Sequence, residues 1–137
     1  MIEIRADHAA VRAAAALVAT HTRMNAGSTP TVLRLYAESF NLADEPVTSA
    51  LVDFVLTKPA GTIAAGVLTL TLPGDVLILN SGIATRCRAT NGAGAHIFDC
   101  NISGIDDEDF NPAATIILPT RQLRAGGVTR MLSGTLS

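Results

Sequence analysis

Hydrophobic and polar positions alternate with period two over most of the chain beyond residue 30, in short runs separated by Pro and Gly turns. Over residues 31–36 (TVLRLY), Leu33 and Leu35 share one face, and Val32, Arg34 and Tyr36 share the other. Residues 50–57 alternate Val52, Phe54 and Leu56 against Leu51, Asp53 and Val55. Residues 62–72 predict one strand with a bulge or bend at Gly66, and residues 76–80 a shorter one. Turns fall at Lys58-Pro59-Ala60-Gly61 and Pro73-Gly74-Asp75. Residues 114–119 (ATIILP) and 126–137 supply two more strands, the last carrying Val128, Leu132 and Leu136.

A different period governs the start. Residues 1–5 alternate and suit a short edge strand or an arm. Asp7 is a candidate N-cap for a helix over 7–22, with Val11, Ala14, Ala15 and Val18 spaced as one buried stripe and Leu17 and His21 close to it. Asn25, Gly27 and Pro30 end it.

The best-defined element is a hairpin. Residues 83–90 and 95–103 flank Asn91-Gly92-Ala93-Gly94, residue types that tolerate positive φ. Ile83, Cys87 and Ala89 face the same way as Phe98, Cys100 and Ile102, and this matched alternation predicts a core face. Two registers keep it intact: a two-residue loop sets Arg86 opposite Asp99, and a four-residue loop sets Arg88 there and Cys87 opposite Cys100. About eight strands after one helix predict a mostly β chain, a jelly-roll-like antiparallel β-sandwich. Nothing divides it, so residues 1–137 read as one domain, with the helix at 7–22 and the sandwich over 31–137.

Composition sharpens this picture. Hydrophobic residues make up 48% with only 4% aromatic, and mean hydropathy is +0.36, so the core is built from Ala, Val, Leu and Ile. No window of about 18 strongly apolar residues suits a membrane span, and the acidic start lacks the basic region of a secretory signal. The apolar surplus fits either a compact core or a surface buried on a partner. Net charge is −2, which gives no footprint for nucleic acid. The basic residues are nine Arg and one Lys, a bias shared by protein interfaces.

No reaction is legible. His8, His21 and His96 form no H-x-H of the cupin type, and His96 beside Phe98 reads as a half-buried histidine. No nucleophile elbow supports a Ser-His-Asp triad. Asp106, Asp107, Glu108 and Asp109 lack the spacing of a calcium loop and read as a solvated acidic loop, with docking to a basic partner as the alternative. Cys87 and Cys100 read as reduced core thiols, or as a cross-strand disulfide in the longer-loop register. Asn91 to Gly94 joins two strands, so it is no phosphate-binding loop. No cofactor and no metal are expected.

Several pieces taken together are familiar: the Ala-rich helix, the L-R-L-Y strand (Leu33 to Tyr36), and the basic strand entering an Asn-Gly turn and returning as Ile97-Phe98-Asp99. The polar acidic loop, an apolar strand and Gly126-Gly127-Val128 complete the layout. It resembles small tailed-phage virion proteins, most nearly a capsid cement or decoration protein of a short-tailed phage. The acidic run at 106–109 departs from the small polar residues expected there. The resemblance implies a non-enzymatic protein of the capsid surface, assembled in the host cytoplasm, that binds the outside of the major capsid protein shell. A homodimer is expected from the apolar surplus and the prevalence of two-fold assembly. A tail or head–tail joining protein is the alternative, and a cupin-like enzyme a more distant one. The expected interface residues are Arg86, Arg88, Arg121, Arg124 and Arg130, because planar guanidinium groups pair bidentately with carboxylates.

Overall fold

The computed structural model describes residues 15–37 and 49–136. The expected N-terminal arm, the Asp7 cap, His8, Val11, Ala14 and most of the loop before residue 50 lie outside the described residues.

Helix α1 (residues 15–24) runs two residues further than expected and closes with Asn25 N–H donating to the His21 carbonyl at 3.1 Å. Its buried side chains are Leu17 and Met24, seven apart, while Ala15 and Val18 are exposed. The expected stripe is therefore rotated. Leu and Met remove more apolar surface from water than Ala does, so the larger side chains take the core side. Asn25 does more than end the helix: its Oδ1 accepts the Ala60 N–H at 2.9 Å. Gly27 follows at φ 93°, and a Cβ there would stand 2.4 Å from the Ala93 nitrogen. Only glycine lets the helix exit meet the hairpin loop so closely.

The first sheet contains β1 (Val32–Tyr36), β2 (Val52–Val55), β7 (Arg86–Thr90) and β8 (His96–Cys100), in the order β2-β1-β7-β8 and all antiparallel. Its inner face holds Leu33, Leu35, Val52, Phe54, Cys87 and Ala89, each fully buried, as the alternation predicts. The hairpin takes the longer-loop register, with Cys87 opposite Cys100 and Arg88 opposite Asp99, and an irregularity at Ala89/Thr90. Asn91 organises the loop, its Oδ1 accepting the N–H groups of Ala93 and Ala95, both at 3.0 Å. Phe98, expected in the core, is half-buried against it.

The second sheet contains β3 (Gly61–Ala64), β4 (Val67–Leu70), β9 (Ile102–Gly104), β10 (Ile116–Leu118) and β13 (Ser133–Leu136), in the order β3-β4-β13-β10-β9. The expected single strand over 62–72 is two strands: Ala65 (φ 52°) and Gly66 (φ 76°) form a tight hairpin turn between them. The expected strand 95–103 also divides. At Asn101 the chain leaves the first sheet for the second, the Asn101 carbonyl and Oδ1 accepting the N–H groups of Ile116 and Thr115. β9 then pairs with β10 in parallel, the one parallel pair among the described strands. Two ribbons complete the fold: β5 (Val76–Leu77) with β12 (Val128–Thr129), and β6 (Gly82–Ile83) with β11 (Gln122–Leu123). The expected terminal strand is thus β12 in a ribbon and β13 in a sheet. One apolar cluster, from Leu33 and Phe54 to Leu68, Ile116 and Leu123, joins the inner faces, giving a mostly β, sandwich-like fold.

Candidate functional site

The outer face of the first sheet is a row of charges. In register across four strands stand Asp53, Arg34, Arg88 and Asp99. The two arginines are neighbours, and each is matched by a carboxylate on its outer side. Arg34 Nε lies 3.4 Å from Asp53. Arg88 grips Asp99 bidentately, at 2.9 Å to Oδ1 and 3.1 Å to Oδ2. Arg86 comes within 3.6 Å of Asp99 Oδ2, and His96 Nε2 within 3.0 Å of Oδ1. Burial pushes the Asp99 carboxyl up, but the Arg88 hydrogen bonds and charge, with His96, outweigh it and hold the group below the usual carboxylate range. Arg88, with a side chain 12% exposed, is engaged inside the chain by Asp99, as the longer-loop register allows. One expectation changes here. His96 is exposed on Asp99, not half-buried beside Phe98, because the irregularity at Ala89/Thr90 re-aims it.

Arg121 is committed in the same way. Its Nε donates to Asp107 Oδ2 at 2.8 Å and its Nη1 to the Ala84 carbonyl at 3.2 Å. Asp107 also accepts the Gly104 N–H at 2.8 Å. That backbone bond, with Arg121, lowers the Asp107 carboxyl pKa. The acidic run is therefore not uniformly solvated: Asp107 ties the turn down, while Asp106, Glu108 and Asp109 are exposed.

Arg124 and Arg130 differ from the other three. Both are exposed, and neither forms an ion pair with another described residue. They border a cavity of about 480 Å³ that also includes Asp75, Gln122 and Val128. Beside it the β5–β12 ribbon turns apolar side chains outward. Val128 (67% exposed) stands directly opposite Leu77 (54% exposed), and Leu79 is exposed two residues further on. Ile78 and Thr129 point the other way and are buried. Sequence reasoning names Arg124 and Arg130 here but misses the outward apolar side chains beside them, reading Val128 as part of an ordinary terminal strand. A signal was present: Val76-Leu77-Ile78-Leu79 is apolar on both faces of a strand, the pattern of a strand covered on both sides.

The other candidates are weaker. Among the described residues no group of three or more His, Cys, Asp or Glu is placed to hold a metal. His21 is half-buried, its Nε2 without a hydrogen-bond partner among the described residues. A second cavity of about 470 Å³ lies between Leu17 and Thr20 of α1, Phe98, Cys100 and Leu136. Cys87 and Cys100 are free thiols. No described helix is long and apolar enough to cross a membrane. Comparison with protein-family models, curated proteins and solved structures returns no match.

Proposed function

We propose that this chain is a non-enzymatic virion structural protein that binds the outside of a major capsid protein shell and stabilises it. The observation that supports the reading best is the outward apolar face of Leu77, Leu79 and Val128, with Val128 lining one cavity together with Arg124 and Arg130, which form no ion pair with another described residue. Such a surface suits a partner that covers the apolar side chains and sets carboxylates against the guanidinium groups. A module of this kind acts additively. Each copy buries modest area across a seam between shell subunits, and because it binds only the assembled state it stabilises that state by mass action. The sandwich is read here as jelly-roll-like, with the parallel β9–β10 edge as its departure from that pattern. The module is read as a two-fold homodimer.

Copy number per particle tests the assignment. A shell-covering role requires on the order of hundreds of copies, as lattice symmetry dictates, whereas a joining or tail position requires about a dozen or fewer. Quantitative mass spectrometry of purified particles is expected to give the larger number. A count near a dozen would move the protein to the head–tail junction, and its absence from particles would refute the virion assignment altogether.

A further inference from the structure

Strands β7 and β8 set Cys87 and Cys100 directly opposite one another. Directly opposed residues on antiparallel strands have Cα atoms about 4.5–5.5 Å apart. A disulfide bridges Cα separations of about 4.4–6.8 Å. Both thiols are free. They differ in access. Cys87 is fully buried in the core, whereas Cys100 is partly exposed and lines the cleft between α1, Phe98 and Leu136.

The geometry points to a two-thiol oxidation site in which Cys100 meets a hydroperoxide and Cys87 resolves the product into a disulfide across the hairpin. First, Cys100 Sγ attacks the terminal peroxide oxygen. An S–O bond forms, the O–O bond breaks, and the thiol proton leaves with the departing oxygen as an alcohol or as water. Cys100 is then a sulfenic acid. Cys87 Sγ attacks it, the S–S bond forms and the S–O bond breaks, and hydroxide departs with the Cys87 proton as water. The two sulfurs together lose two electrons and the peroxide gains them. Burial pushes the Cys87 thiol well above its ordinary pKa. It therefore stays protonated and unreactive towards the oxidant, and it gives up its proton, to the departing hydroxide, only as it attacks the sulfenic acid opposite it. The bond staples β8 to β7 just before the chain crosses at Asn101 to the second sheet, so oxidation fixes the crossing point of the fold. This site does not depend on what the chain binds.

The test uses the full chain, reduced, desalted and treated with hydrogen peroxide. Intact mass is expected to fall by about 2 Da in a monomer with both thiols lost, and dithiothreitol is expected to restore it fully. Peptide mapping is expected to find Cys87 joined to Cys100. In Cys87→Ala, Cys100 is expected to persist as a sulfenic acid that dimedone captures. In Cys100→Ala, Cys87 is expected to survive the same dose unmodified. Three results would each overturn the inference in the unsubstituted protein, which needs no variant to fold. They are Cys100 driven on to sulfinic acid with Cys87 still reduced, a Cys100–Cys100 bond between two chains, or both thiols intact at a dose that oxidises the denatured chain.

Discussion

The outer face of the first sheet and the outer face of the β5–β12 ribbon treat arginine in opposite ways. On the sheet, Arg34 and Arg88 lie in register with Asp53 and Asp99, and Arg86 joins the same carboxylate. Beside the ribbon, Arg124 and Arg130 have no such partner among the described residues, and they line a cavity with the exposed Val128. A guanidinium already gripped by a carboxylate has little left to offer another molecule. An unpaired one beside bare Leu and Val gains a hydrogen-bond partner and covers apolar surface when another chain arrives. The first face satisfies its charges within the chain, and the second leaves apolar side chains exposed.

The widest separation is expected within the ribbon itself. Ile78 points into the core and Leu77 away from it. Ile78→Ala should cost about 2–5 kcal/mol in chemical denaturation. Leu77→Ala, which removes only exposed surface, should stay within about 0.5 kcal/mol. Equal losses would place both side chains in the core and erase the distinction between the faces.

A smaller effect is expected on the charged face. Asp99→Ala leaves Arg88 partly buried without its carboxylate, which should cost about 1–3 kcal/mol. Its pH dependence has a definite sign. The folded Asp99 pKa is depressed, so the Asp99 contribution is fully present above the unfolded value of about 3.9 and is lost as pH falls through the folded value. Denaturation midpoints of the two proteins should therefore differ at neutral pH and converge below about pH 4. A constant gap down to pH 2 would show that the loss is one of packing.

Much of this architecture was legible where a single local rule decides. Leu33, Leu35, Val52 and Phe54 alternate strictly, and they are buried as the alternation requires. The Asn91 hairpin was legible from its turn chemistry, while its register was not, because two registers satisfied the same apolar face. Most of the misreadings share a cause, in that long-range contacts overrode a local pattern, and one is a local turn that its sequence does not announce. In an Ala-rich helix several stripes have nearly equal hydrophobicity, and the core selected Leu17 and Met24. Ala65 gives no warning of positive φ, so a hairpin read as one strand. The sheet change at Asn101 leaves the alternation undisturbed. Of the five arginines expected at an interface, Arg121 is tied to Asp107, 14 residues away, by a pair no local pattern displayed, whereas Arg88 is tied to Asp99 by one of the two registers the hairpin allowed. Such pairs depend on register and loop path, which one sequence does not display.

The division between the faces meets its most direct test in the double variant Arg124→Glu/Arg130→Glu, added to shells that lack the protein, with bound copies counted over a range of salt. The variant is expected to fold with unchanged stability, since these side chains form no ion pair with another described residue. Its occupancy should fall at least about tenfold at low salt, where charge reversal repels the partner's carboxylates most strongly. Asp99→Ala, measured alongside at a temperature where it remains folded, should bind as the unsubstituted protein does. Undiminished occupancy of the double variant across the salt range, or a matching loss in Asp99→Ala, would contradict the assignment of association to the ribbon.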